Sequence, residues 1–156
     1  DVAEIARRRS VWFDPYHAAL RDEIARLRAL HPALVLYDAH SIRSHVPRLF
    51  LGELPQFNIG SYDGASCDPA LTAAIAADCA GESYVINGRF KGGWITRHYG
   101  DPPRGVHAVQ MELAIRGYAD EDEPWPPPWD AARAAPMQGK LHSILTSCLD
   151  FAKDQQ

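Results

Sequence analysis

Hydrophobic residues recur along this chain at two spacings, one typical of helices and one typical of strands. The clearest helical run places apolar side chains three or four residues apart: Tyr16, Leu20, Ile24, Leu27 and Leu30. This spacing predicts one apolar stripe that packs on a sheet. Further helices are predicted at residues 2–12, at 68–79 and from about 137 onward. At Asp14-Pro15 and again at Asp68-Pro69, an N-cap followed by proline predicts a helix start.

Short apolar runs between turn residues predict the strands. Residues 34–37 are four consecutive apolar or aromatic residues, which is typical of a strand covered on both faces. Brief strands are predicted at residues 57–61, 84–87 and 94–99. Residues 106–113 alternate, so that Gln110 and Glu112 share one face while Val109 and Met111 share the other. The sequence therefore predicts an α/β fold with a mixed, mostly parallel sheet flanked by helices.

Composition restricts the partners of this domain. A chain of 156 residues fits one domain, residues 1–156, with a sizeable core. Its net charge of -4 and its lack of a lysine-rich run argue against nucleic acid. Because no apolar run approaches the roughly 20 residues of a membrane span, we expect a cytoplasmic protein. The three cysteines, Cys67, Cys79 and Cys148, form no C-x-x-C pair and are expected to be reduced and buried.

Candidate chemistry begins where the strand at residues 34–37 ends. Asp38, His40 and Ser41 follow it, and ligands commonly bind at the carboxyl ends of strands. An Asp beside a His can fix the imidazole tautomer, which suits a metal ligand or a general base. The alternative is a helix N-cap at Ser41 beside a His without function. Glu112, near the end of another strand, is costly to bury unless it is paired with a cation or used.

A glycine-rich basic segment, residues 87–93, follows the strand at 84–87. Its glycines allow close backbone approach to a ligand, and Arg89 and Lys91 add positive charge. These features fit an anion-binding loop, although a hairpin tip with two solvated bases has the same composition. Arg97 and His98 lie at the end of the next predicted strand.

Together these segments resemble the N-formylglutamate amidohydrolase family. The resemblance is carried by five ordered motifs: Asp38-Ala-His-Ser-Ile-Arg-Ser44, Pro47-Arg-Leu-Phe50, Leu54-Pro-Gln-Phe-Asn-Ile-Gly60, the run from Asn87-Gly-Arg-Phe-Lys-Gly-Gly93 through Gly100, and Gly105-Val-His-Ala-Val-Gln-Met-Glu-Leu113. The motifs cover most of the chain. They imply an α/β fold akin to the zinc exopeptidases and hydrolysis of N-formyl-L-glutamate to glutamate and formate in histidine breakdown.

The resemblance also implies roles for individual residues. His40 is the expected ligand of a zinc ion, Asp38 is expected to orient it, and Glu112 is the expected general base. The substrate has two carboxylates, which arginine recognises well. The candidate substrate-binding cations are Arg43, Arg48, Arg89, Lys91 and Arg97, of which Arg89 and Arg97 are favoured. Asn87 and His98 are expected to orient the scissile formamide or its oxyanion.

One departure from the family pattern limits these expectations. A P-H-x-G motif and a following acidic residue, which complete the family's zinc site, are absent from the sequence. Since a catalytic zinc normally has three protein ligands, His40 alone is expected to hold zinc weakly and to support little turnover. The non-Met start favours a C-terminal part of a longer enzyme over an inactive relative. A silent small-molecule-binding domain and a carboxypeptidase-like zinc peptidase remain the alternatives.

Overall fold

A four-stranded mixed sheet organises the computed structural model, which describes residues 1–122 and 125–155. The strands are β1 (Leu34–Ile42), β2 (Phe57–Gly60), β3 (Tyr84–Ile86) and β4 (Val106–Ala114). Their order in the sheet is β1-β4-β2-β3. β1 is parallel to β4 and β2 is parallel to β3, whereas β2 and β4 are antiparallel. The predicted mixed sheet with a majority of parallel pairs is therefore confirmed.

Within residues 1–122 and 125–155, five α-helices accompany the sheet. They are α1 (Val2–Arg8), α2 (Asp14–Arg28), α3 (Pro69–Asp78), α4 (Trp94–Tyr99) and α5 (Ala131–Asp154). Asp68 caps α3 as predicted, because its carboxylate accepts from the backbone N–H of Ala70. Among the described residues, no helix has the length and apolar character needed to cross a membrane.

One face of the sheet carries the hydrophobic core. Phe57 and Ile59 of β2 point toward this face with Val109 and Met111 of β4, and α3 and α5 cover it. The core also contains the three cysteines, which are free and buried as expected. Burial raises the pKa of Cys67 to about 12, so the thiols are neutral packing groups.

The opposite face of the sheet is polar. Because strand side chains alternate, Gln110 and Glu112 point away from the core that Val109 and Met111 join. The alternation predicted for residues 106–113 is confirmed. The polar face is nevertheless buried at β4 and β2, since every residue of both strands is buried.

β1 differs from its prediction in two ways. The strand does not end at Tyr37 but continues to Ile42, so Asp38, His40 and Ser41 lie within it rather than in a loop. It also lies at the edge of the sheet, and of its residues only Leu34 is buried. Its continuous pairing with β4, through Ile42 opposite Ala114, extends the strand beyond the apolar run.

The prediction of a strand at residues 94–99 was wrong, because this segment forms α4. Gly93, in an extended conformation, is the N-cap of α4, and Thr96 within the helix is completely buried. A helix places Thr96 inward and leaves Trp94 and His98 on a common side one turn apart. Periodicity over six residues is too short to distinguish this from a strand.

The N-terminal helices also depart from the prediction. α2 begins at Asp14 with Pro15 in its first turn, as predicted, but a π-helical turn, Arg9–Phe13, joins α1 to it without a break, and the N-cap is Phe13 rather than Asp14. The apolar stripe of α2 does not pack on the sheet, since neither α1 nor α2 contains a buried residue.

α5 starts at Ala131 instead of near residue 137, because Asp130 caps it and the helix accommodates Pro136. The acidic, proline-rich segment at 121–129 lies partly outside the described residues.

Candidate active site

The polar face of the sheet brings His40 and Glu112 together. His40 on β1 is the register partner of Glu112 on β4, and parallel partners point to the same side of a sheet. On the other side of β4, Glu112 is opposite Asn58 of β2. Glu112 is therefore at the centre of a row of three polar residues contributed by three strands.

Asp38 orients the imidazole of His40. The Nε2 atom of His40 is 3.0 Å from Oδ1 of Asp38, two residues earlier on the same face of β1. The His40 side chain is 46% exposed, whereas that of Asp38 is 15% exposed. A shielded carboxylate thus holds one ring nitrogen and leaves the other for a ligand or a proton.

Glu112 is a buried carboxyl group to which the described residues donate no hydrogen bond. The residue is 6% exposed, and no hydrogen bond or ion pair reaches its side chain from the described part of the protein. Burial raises the pKa of Glu112, the nearby His40 opposes this shift, and the charge of Asp38 adds to it. A carboxyl group that binds a proton more tightly than usual is suited to accept one from water.

Two amide side chains fix the surroundings of Glu112. Asn58 donates from Nδ2 to the carbonyl oxygens of Pro55 and Glu112, at 2.8 and 3.0 Å. Gln110 accepts at Oε1 from the backbone N–H of Gly93, at 2.7 Å, and so joins the sheet to the start of α4. No role was predicted for Asn58 from the sequence; the available signal was its position in the short strand that contains the Asn58-Ile-Gly60 motif.

The basic segment 87–93 packs closely against the end of β2. Asn87 has a φ of 53°, its Oδ1 accepts from the backbone N–H of Ser61, and its Nδ2 donates to the Ser61 hydroxyl, both at 2.8 Å. At Gly60, an added Cβ atom would lie 2.5 Å from the backbone nitrogen of Gly92. The role predicted for Asn87 toward the formamide stays a prediction, and its side-chain atoms are engaged with Ser61 here.

The predicted substrate-binding cations are on the surface of the domain. Arg89 donates from Nε to the carbonyl of Leu49, Lys91 lies 3.0 Å from Asp63, and Arg97 donates to the carbonyl of Gly93. The guanidinium of Arg43 is 4.4 Å from the ring centroid of Trp125, and Arg48 is exposed. Arg97, one turn into α4 from Gly93, is joined through Gly93 and Gln110 to the polar face of the sheet.

His98 lies on the side of α4 that faces the N-terminal helices. Its ring stacks on Trp94 with centroids 4.0 Å apart, and it lines a cavity of about 560 Å³ with Arg28, Tyr99 and Asp101. Its ring contacts are thus made with Trp94 and Tyr99 rather than with the His40 imidazole.

A zinc site is not assembled by the described residues. Within residues 1–122 and 125–155, no group of three or more His, Cys, Asp or Glu side chains has a geometry that could hold a metal ion. A catalytic zinc ion normally takes three protein ligands. His40 offers one imidazole, and its neighbour Asp38 is engaged with that ring. These residues therefore do not fit a zinc ion without further ligands.

In this α/β domain a buried carboxyl group lies opposite an imidazole on one sheet face, an arrangement that suits general acid–base chemistry. Residues 1–119 match the family model described as N-formylglutamate amidohydrolase. The chain is 51% identical over 148 residues to N-formylglutamate deformylase of Pseudomonas aeruginosa and 50% identical over 144 residues to that of Pseudomonas putida. The chain therefore belongs to the N-formylglutamate amidohydrolase family.

A solved structure shares the fold. The crystal structure of N-formylglutamate amidohydrolase from Ralstonia eutropha JMP134 matches 99% of this chain with a TM-score of 0.79, at 21% identity. The matched regions cover only part of each relative: 54% and 53% of the two Pseudomonas proteins and 56% of the Ralstonia chain. The chain thus spans about half the length of the relatives it matches.

Proposed function

We propose that this chain carries the general-base part of an active site that hydrolyses the formamide bond of N-formyl-L-glutamate, giving glutamate and formate. The relatives that are about half identical to it are named N-formylglutamate deformylases. The observation that carries the proposal is the placement of Glu112, which is buried and receives no hydrogen bond from the described residues, opposite His40 on the polar face.

In the proposed reaction, Glu112 accepts a proton from the attacking water. Its raised pKa, caused mainly by burial, strengthens its affinity for that proton and then lets the acid form protonate the departing amine. His40 is held by Asp38 through Nε2, which leaves its Nδ1 for the substrate in the proposed reaction. The pair thereby supplies a proton acceptor and an oriented imidazole on adjacent strands.

Recognition of the substrate is proposed to depend on arginine. Arg97 is the best placed of the predicted cations, because its Nε donates to Gly93, whose own N–H is bound by Gln110 of the sheet. Arg89, Lys91, Arg43 and Arg48 are proposed as further positive charges for the two carboxylates. A planar guanidinium can bind a carboxylate through two hydrogen bonds.

The requirement for zinc stays a prediction. With a single imidazole and no group of three ligands among the described residues, the protein as described would hold zinc weakly. Zinc content measured after dialysis against a micromolar zinc buffer tests this. Less than one tenth of an equivalent is expected, and a full equivalent retained by this chain, and lost in His40→Ala, would contradict the expectation.

The function is tested by formate release. A single chain that joins residues 1–156 to the part of the P. aeruginosa deformylase outside the matched region is expected to release formate from N-formyl-L-glutamate. Glu112→Gln should lower kcat by about 100-fold or more, the range of a lost general base. Glu82→Gln, at an exposed position, is the matched control and should be neutral. Formate release that is equally fast with Gln at position 112 would overturn the proposal.

A catalytically silent binding domain is the second candidate, and it is favoured by the incomplete metal-ligand set among the described residues. It predicts that N-formyl-L-glutamate binds to the joined chain without release of formate. Calorimetric titration of the same protein distinguishes the two functions.

A further inference from the structure

Gln110 is a buried amide on the polar face of the sheet, two residues before Glu112 on β4. The residue is 6% exposed. Its Oε1 accepts from the backbone N–H of Gly93 at 2.7 Å. Because only the oxygen of an amide accepts hydrogen bonds, this contact fixes which way the side-chain amide is turned. The Nε2 group of Gln110 is therefore held in one direction, away from the Gly93 nitrogen.

The Nε2 donors of Gln110 have no acceptor among the described residues, since the one hydrogen bond of its side chain is made at the oxygen. Asn58, the neighbouring buried amide, differs, because its Nδ2 donates to two backbone carbonyls. In the described part of the chain, Nε2 of Gln110 is also not one of the polar atoms that are enclosed without a partner, so a ligand can reach it. An oriented and unused donor in a buried side chain is suited to bind a ligand.

The surroundings of Gln110 place this donor beside the proposed general base. Its register partners are Asp38 on β1 and Gly60 on β2. The backbone of Gly92 covers Gly60, where an added Cβ would lie 2.5 Å from the Gly92 nitrogen. Alternate residues of a strand share a face and are about 7 Å apart, so Gln110 and Glu112 are separated by roughly the length of a water molecule and a formyl group.

Gly93 connects Gln110 to Arg97. Its N–H donates to Gln110, and its carbonyl accepts from Nε of Arg97 at 3.1 Å. In an N-formyl amino acid, the formyl group and the α-carboxylate are attached through the same nitrogen and α-carbon, so the groups that bind them must be close together. A guanidinium suits the carboxylate, whereas a neutral amide donor suits an uncharged carbonyl oxygen.

We propose that Nε2 of Gln110 donates a hydrogen bond to the formyl oxygen of an N-formyl α-amino acid whose carboxylate is bound at Arg97. The identity of the substrate rests on the proposed function. As Glu112 takes a proton from water and the water oxygen bonds to the formyl carbon, the electron pair of the C=O π bond moves to the oxygen. The hydrogen bond from Gln110 then meets a negative charge and becomes stronger, which lowers the barrier.

Steady-state kinetics of the joined chain test this role. Gln110→Glu keeps an oxygen for the Gly93 N–H but replaces the donor, and Gln110→Met keeps the length of the side chain without either group. Each variant should lower kcat for N-formyl-L-glutamate by about 100-fold, the range of a lost oxyanion donor, and change KM by less than about threefold. Gln155→Glu, at an exposed position, is the matched control and should be neutral.

A change of one substrate atom separates contact from structural support. In N-thioformyl-L-glutamate, sulfur replaces the formyl oxygen and is a weak hydrogen-bond acceptor. If Gln110 contacts that atom, Gln110→Met should slow glutamate release from the thioformyl substrate by less than about tenfold, because little of the interaction remains to be lost. A structural defect would slow both substrates equally.

NMR of the side-chain amide tests the contact without turnover. The Nε2 proton signals of Gln110 are identified by their loss in Gln110→Met and are followed in the joined chain that carries Glu112→Gln. They should shift downfield as N-formyl-L-glutamate saturates the protein. Saturating L-glutamate, which has no formyl group, should leave them in place.

Three results would overturn the role of Gln110. They are an unchanged kcat in both Gln110 variants of a chain that requires Glu112, an equal loss with the formyl and thioformyl substrates, and no shift of the Gln110 signals with N-formyl-L-glutamate. The first result would leave the proposed function intact. An unchanged kcat in Glu112→Gln, together with shifted Gln110 signals, would instead overturn the proposed function and support the Gln110 contact. A joined chain that does not bind N-formyl-L-glutamate would overturn both.

Discussion

Glu112 shows at the level of a single residue how the proposed function opposes stability. Its carboxyl group is buried beside another carboxylate, Asp38, and the described residues donate no hydrogen bond to it. Burial of a charged group without compensation destabilises a fold. A residue of this kind is retained where its proton affinity is used, which agrees with the role proposed for it.

The stability cost of Glu112 has a definite dependence on pH. Because its folded pKa is raised above the ordinary 4.5, the ionised form destabilises the folded state at any pH above the folded pKa. Glu112→Gln should therefore raise the free energy of unfolding at pH 7, and this gain should vanish as the pH falls below 4.5. Urea denaturation at the two pH values measures it. A variant less stable than the wild type at pH 7 would contradict the assigned burial.

Gly60 is a second position where one residue decides the local structure. Gly60→Ala would place a Cβ atom 2.5 Å from the backbone nitrogen of Gly92 and should destabilise the protein by about 1–3 kcal/mol. Gly139→Ala has open space around its new methyl group and lies inside α5, so it should stabilise by up to about 1 kcal/mol. Thermal unfolding of both variants makes the comparison. Equal effects at the two positions would show that segment 87–93 does not pack closely on β2.

Elements longer than about eight residues with a clear period were predictable here. β4 alternates over nine residues, and its two faces were assigned correctly from the sequence alone. α4 was mistaken for a strand because six residues contain less than two helical turns, and its identity depends on burial of Thr96 against distant residues. The apolar stripe of α2 predicted burial that the structure does not show, since the amphipathic pattern does not identify what covers it.

The N-terminal helices are held to the domain by an aromatic cluster. His17 of α2 lies 4.4 Å from Trp94 of α4 between ring centroids, and it shares a hydrogen bond of 2.8 Å with the Tyr99 hydroxyl. Trp94 also contacts Phe13 at 5.3 Å. Because α1 and α2 contain no buried residue, this cluster is their principal attachment to α4.

Removal of the Trp94 indole should release the N-terminal helices α1 and α2 from α4 without unfolding the sheet. In Trp94→Ala, amides of α2 should exchange at least tenfold faster, whereas amides of β4 should keep their protection. Trp129→Ala, which removes an exposed indole elsewhere, should change neither. Equal acceleration in α2 and β4 would show that the helices and the sheet unfold as one unit.

At the scale of the whole molecule, the order of the strands was not predictable from the sequence. The sequence located four segments that do form strands, but strand order depends on pairings between distant residues, such as Phe57 with Leu113. β1 was predicted to be covered on both faces, yet of its residues only Leu34 is buried. Local sequence identified His40 and Glu112, whereas only the register of β1 with β4 shows that they are neighbours.

The central claim is that His40 and Glu112 act as one hydrolytic centre, and a double-mutant cycle tests it most directly. Formate release is measured for the joined chain with His40→Ala, Glu112→Gln and both changes together. Each single variant is expected to lower kcat by about 100-fold or more, and the double variant should be no slower than the worse single one, because residues that act as a unit are not additive. Losses that multiply in the double variant, or single variants with undiminished kcat, would contradict the account.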